Sequence, residues 1–175
     1  MKKSVLKVQM FGAYSIEYEG KPISFERNTA TKTNQLMQIL LQAGEKGVAR
    51  AKLLSDLFGD EEMSNPANSL RATVFRLRRL LAAAGLPEDE YVTIKGGSYY
   101  WTSEIPYELD AHQFEELLKK AEKENDLEKK KSYIEEACEL YRGEFLPQLG
   151  AEEWAVVLNV YYKNLFSNAM RALCQ

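Results

Sequence analysis

The chain has 175 residues, 45% of them hydrophobic and 28% charged, with a formal net charge of -3 at neutral pH. This composition fits a folded, water-soluble chain of one ordinary domain or two small ones, and excludes a disulfide-stapled miniprotein or a chain whose main state is disorder. A single histidine, His112, and two cysteines, Cys138 and Cys174, exclude two-histidine metal sites, paired-cysteine zinc sites and most histidine-dependent catalysis.

Met1 to Lys7 has the look of a signal peptide, but Lys7 and Gln9 interrupt the apolar run and no small-residue cleavage site follows. Instead Leu6, Val8 and Met10 alternate as in a strand, and after Gly12 a second strand sets Tyr14, Ile16 and Tyr18 against Ser15, Glu17 and Glu19. A turn at Glu19 to Pro22 leads to a short third strand, Ile23 to Phe25, completing an antiparallel meander. From Thr31 the period becomes helical, with Leu36, Ile39, Leu40 and Ala43 on one face and Gly44 as the stop. A second helix runs from about Arg50 to Phe58, and Asp60 to Pro66 forms an acidic loop.

A third helix, Ala67 to Ala84, places Leu70, Val74, Leu77 and Leu81 on its buried face. Tyr91 to Ile94, the turn Lys95 to Ser98 and Tyr99 to Trp101 form a hairpin. Beyond Pro106 the pattern is helical: Asp110 to Glu124, Leu127 to Tyr141 and Glu152 to Ala172, with short antiparallel connections. The charge run Glu122 to Lys131 reads as a solvated turn between two of these helices. The helical pattern is still running at Cys174 and Gln175, which suggests a fragment of a longer protein. No apolar run reaches the ~18 residues of a membrane-spanning helix.

Charge is unevenly distributed. Through Pro106 there are 14 Lys and Arg against 12 Asp and Glu, net +2; from Tyr107 there are 9 against 14, net -5. Two modules with different partners are expected, 1–105 and 106–175. The third helix carries Arg71, Arg76, Arg78 and Arg79 with no acid between Asn65 and Pro87. At about 100° per residue, Asn68, Ala72, Phe75, Arg76 and Arg79 lie opposite the apolar stripe, with Arg71 and Arg78 beside them. Such a face suits a major groove: arginine pairs with guanine edges or phosphate, and Phe75 meets a thymine methyl. The same pattern also describes an ordinary amphipathic helix. What favours DNA is the order strand, three helices, hairpin, with Lys95 on the hairpin, which is the layout of a winged helix.

Three blocks carry a resemblance: Val48 to Gly59, Asn68 to Leu80 and Thr93 to Tyr99. They resemble the corresponding blocks of the Streptomyces antibiotic regulatory protein (SARP) family, which joins an OmpR-like winged helix to a bacterial transcriptional activation domain (BTAD) of tetratricopeptide-like helices. Leu109 to Glu115 and Glu139 to Leu146 are similar to the opening helix and mid-domain signature of that activation domain. The resemblance implies an α+β chain, a winged helix-turn-helix with an N-terminal antiparallel sheet followed by an all-α, tetratricopeptide-like domain. It implies a cytoplasmic bacterial activator, without cofactor, that binds promoter-proximal direct repeats in double-stranded DNA and recruits RNA polymerase holoenzyme, with a homodimer on DNA as a further option. By position, Thr73, Arg76 and Arg78 match recognition-helix contacts and Lys95 the basic residue of the wing. Asp60, Glu61, Glu62, Met63 and Ser64 lie where the family touches polymerase.

The expected DNA-binding set is therefore Asn68, Arg71, Thr73, Phe75, Arg76, Arg78, Arg79 and Lys95. The alternative is an adaptor whose helical repeats bind a protein or small effector and which does not bind DNA. An enzyme is disfavoured, since no P-loop, nucleophile motif or metal spacing is present. His112 reads as an exposed or half-packed helix residue, not one half of a dyad with Asp110; Cys138 and Cys174 read as buried or half-buried free thiols in a reducing cytosol. Trp154, Tyr161, Tyr162 and Phe166 read as core or as contact with a further helix.

Overall fold

The computed structural model describes residues 4–24, 28, 30–59 and 64–175. The elements in chain order are β1 (Leu6–Gln9), β2 (Ser15–Tyr18), β3 (Lys21–Ile23), α1 (Lys32–Ala43), β4 (Val48–Ala49), α2 (Arg50–Phe58), α3 (Pro66–Ala83), β5 (Tyr91–Lys95), β6 (Ser98–Thr102), β7 (Tyr107–Leu109), α4 (Asp110–Lys123), α5 (Leu127–Leu140) and α6 (Glu153–Leu173). The class is α+β, as expected. One sheet has the order β3-β2-β1-β7 and the other β4-β6-β5. The third strand lies at Lys21–Ile23, slightly earlier than read from the sequence, and Phe25 is outside the described residues. Pro22 is tolerated there because β3 is an edge strand, where a missing N–H breaks no ladder.

The chain divides into two compact units: Met1–Leu6 with Glu17–Pro106, and Lys7–Ile16 with Tyr107–Gln175. One break falls after Pro106. Lys7–Ile16 instead groups with the C-terminal residues, which departs from a first domain running unbroken over 1–105.

In the first unit α1 is buried along Thr33–Leu41 and packs against α3, α2 and β6. Thr31 caps it by accepting from the Asn34 N–H. Helix α3 starts the same way: Asn65 accepts from the Asn68 N–H and Pro66, with no N–H to satisfy, occupies the first turn. Its stripe Leu70, Val74, Leu77 and Leu81 is buried. The hairpin β5–β6 is closed by Gly96 and Gly97, with φ of 59° and 78°. Two consecutive left-handed residues make the tight turn that matches strand twist, and glycine enters that region without a side-chain clash.

In the second unit the apolar residues Met10 and Phe11 explain the placement of Lys7–Ile16. The Phe11 ring lies 5.5 Å from Phe114, 4.9 Å from Tyr141 and 5.2 Å from Tyr162, centre to centre. The Gly12 N–H donates to the Glu144 carbonyl (2.8 Å) and the Leu146 N–H to the Met10 carbonyl (2.9 Å). Helices α4 and α5 pack against each other, and Ala121, Ile134 and Ala169 form a smaller core that α6 completes.

Trp154 and Tyr162 are buried, Phe166 is half-buried and stacked on Tyr141 at 4.2 Å, and Tyr161 is exposed. Cys138 is half-buried, and desolvation pushes its thiol pKa up; Cys174 is exposed, contrary to the expectation that both thiols are sheltered.

Candidate nucleic-acid interface

Helix α3 and the β5–β6 hairpin belong to one unit, so the placement of each expected contact residue can be compared directly. Asn68, Arg71, Phe75, Arg76 and Arg79 are exposed on α3, and Lys95 is exposed where the hairpin turns. The side chains of Arg71, Arg76, Arg79 and Lys95 make no hydrogen bond or ion pair among the described residues. No carboxylate lies anywhere on α3 to offset the three arginines. Phe75 is 61% exposed, and the Arg79 guanidinium carbon lies 5.7 Å from its ring centre, a cation–π distance.

Two expected contacts are placed differently. Thr73 is 2% exposed, and its hydroxyl donates to the Ser69 carbonyl at 2.7 Å. It packs beside the apolar stripe and is not on the outward face. Arg78 is exposed, yet its Nη2 donates to the Val92 carbonyl at 2.6 Å and its Nε to the Glu90 carbonyl at 3.4 Å. That guanidinium ties α3 to β5. It borders a shallow depression of about 490 Å³ with Asp89, Glu90, Val92, Thr93 and Ile94, where the two carboxylates make a poor seat for phosphate.

The hairpin is braced at its base. Asp89 accepts from the Glu90 N–H (2.7 Å), the Ser103 hydroxyl (3.0 Å) and the Glu104 N–H (2.9 Å). Desolvation acts to raise its pKa, but the donors from Glu104, Glu90 and Ser103 outweigh that and hold the carboxyl below its usual value. The Tyr91 hydroxyl donates to the Pro87 carbonyl, and its phenol is pushed up to about 12, by desolvation first and then by the nearby Asp89 charge.

Two candidate contacts escaped the sequence reading. Ile94, next to Lys95, is 54% exposed. Arg50 is exposed at the start of α2, and its backbone N–H donates to the Gly97 carbonyl at 3.1 Å, bringing a further guanidinium-bearing residue to the wing. Only the pairing of Val48 with Tyr99 and Ala49 with Ser98 reveals that proximity. Of the residues matched to a polymerase contact, Ser64 is exposed, while Asp60, Glu61, Glu62 and Met63 lie outside the described residues.

In the second unit, Asp110 and His112 form no dyad. The Asp110 carboxylate accepts from the Met10 N–H (2.8 Å), the Phe11 N–H (3.0 Å) and the Ala111 N–H (2.8 Å), while the His112 ring lies against Tyr107 at 6.4 Å.

Residues 109–175 match the family model of the bacterial transcriptional activator domain. Over its whole length the chain has the fold of Mycobacterium tuberculosis EmbR, solved in complex with a low affinity phosphopeptide: the TM-score is 0.77 at 16% identity, covering 99% of this chain and 45% of that one. Protein RcaC of Microchaete diplosiphon is 28% identical over 120 residues, which is 63% of this chain and 18% of RcaC. The chain thus spans less than half the length of either protein. The domain match thus covers the C-terminal 67 residues, and the likeness to EmbR shows a shared fold. Among the described residues no helix is long and apolar enough to cross a membrane.

Proposed function

We propose that the chain is the DNA-binding and activating part of a cytoplasmic bacterial transcription activator. It binds double-stranded direct repeats near a promoter, α3 entering the major groove through Asn68, Arg71, Phe75, Arg76 and Arg79 and the hairpin bringing Lys95 to a neighbouring phosphate or the minor groove. The observation that carries this reading is the outward face of α3, where Arg71, Arg76 and Arg79 make no hydrogen bond or ion pair among the described residues and the helix carries no acid. Buried Thr73 and the bonded Arg78 act here as supports of that face. RNA polymerase holoenzyme is recruited through the segment Asp60 to Ser64, and adjacent repeats seat two copies of the chain.

Selection of bound duplexes from a random library, followed by in vitro transcription from a promoter carrying the selected site, tests both halves. A recurring paired motif is expected, with Glu61→Lys and Glu62→Lys leaving duplex affinity intact while lowering transcript yield. Absence of any enriched sequence refutes the DNA-binding half, and full transcript yield from both variants refutes the polymerase contact.

The adaptor reading draws on one observation, the exposed Val157, Val160 and Tyr161 on α6, a surface that another helix would cover. It predicts no enriched duplex.

A further inference from the structure

Among the described residues of the first unit, the exposed large apolar side chains are Phe75 on α3 and Ile94 on the hairpin. Phe75 plays no part in the core, since Leu70, Val74, Leu77 and Leu81 fill the buried stripe on the other side of the helix. A phenyl ring left 61% exposed is poorly accommodated in water, and one helical turn onward Arg79 sets its guanidinium 5.7 Å from the ring centre. The contact steadies a flexible cation over an aromatic face. It leaves the guanidinium N–H edge free, since Arg79 makes no hydrogen bond or ion pair among the described residues. Arg71 and Arg76 show no such ring contact among the described residues.

The paired groups demand different things of a ligand. The N–H edge asks for two acceptors side by side, which in the major groove are O6 and N7 of guanine; the ring asks for an apolar group, which there is the thymine 5-methyl. Bases stacked on one strand are about 3.4 Å apart along the axis, so two groups 5.7 Å apart on one helix face are spaced to meet neighbouring bases. We propose that Phe75 and Arg79 act as one reading head for a thymine stacked beside a guanine, the methyl against the ring and the guanine accepting from the guanidinium. This inference rests on the DNA-binding reading and adds the base step that the helix prefers.

The test uses the full chain and the duplex it selects, resynthesised with deoxyuridine replacing each thymine in turn, which deletes only the methyl. At a thymine beside a guanine, affinity should fall about fourfold for the wild type, the worth of one buried methyl, and should not change for Phe75→Ala. Replacing the neighbouring guanine with 7-deazaguanine should weaken the wild type and leave Arg79→Ala unchanged. Both side chains are outside the core, so circular dichroism of the variants should match the wild type. A selected site with no thymine beside a guanine, no sensitivity to methyl loss, or equal sensitivity in Phe75→Ala overturns the inference while DNA binding stands. A chain that binds no duplex overturns both readings.

Discussion

Asp110 begins α4 with its carboxylate turned inward, where it takes hydrogen bonds from three backbone N–H groups, two of them on the distant residues Met10 and Phe11. An amide in its place turns an NH2 donor toward one of those donors. Asp110→Asn should therefore lower unfolding stability by about 1–3 kcal/mol, measured by urea denaturation. Burial pushes the Asp110 pKa up, and the bonds from Phe11, Met10 and Ala111 and the charge of Arg142 only partly offset this. With the folded pKa above the unfolded value of 3.8, the folded chain holds this proton more tightly. The resulting stability is fully present below that value and is lost as pH rises through the folded pKa. Asp110→Asn should lack this component, and identical pH profiles for variant and wild type would contradict it. In the sequence Asp110 stands two places from His112, which invites a search for a dyad; its actual partners are a hundred residues away and carry no side-chain signature. Thr73 and Arg78 teach the converse. At about 100° per residue they sit roughly 60° and 80° from Leu70, closer to the stripe than to the outward face, so helical spacing alone indicates their burial or bonding.

The helices were legible because each buries a repeating apolar stripe, and the β5–β6 hairpin because Gly96 and Gly97 mark its turn. Strands β4 and β7 were not, since two and three residues are too short to show alternation, and their existence depends on pairing across the sequence. The block Glu139 to Leu146 stood out by resemblance alone, and the fold supplies a physical role for its glycine. A Cβ placed on Gly143 would come 2.9 Å from the Gly12 Cα, so two backbones meet there where a side chain has no room. Gly143→Ala should cost about 1–3 kcal/mol through forced separation of these segments, seen as a drop of several degrees in Tm. An unchanged Tm would show that the two segments part without penalty.

The whole chain carries -3, yet its charge is split between a slightly basic N-terminal part and an acidic C-terminal part, which is why net charge alone misrepresents its partners. In the first unit Arg71, Arg76 and Arg79 on α3 and Lys95 on the hairpin are exposed, and residues 109–175 match an activator domain. The charge shift near Pro106 is visible in the sequence, whereas the grouping of Lys7–Ile16 with the second unit depends on Phe11 joining an aromatic cluster that no local pattern announces. If the cations of the first unit meet phosphates and base edges, duplex binding must release counterions. The decisive measurement is duplex affinity as a function of salt concentration, for the wild type, Arg76→Ala and Lys95→Ala. Log affinity should fall linearly with log salt, by roughly 0.9 per phosphate neutralised. Lys95→Ala should weaken all sequences alike and reduce the slope by about one, and Arg76→Ala should cost about 1–3 kcal/mol at a single base position. Affinity indifferent to salt, with both variants equal to the wild type, would contradict DNA binding by this face.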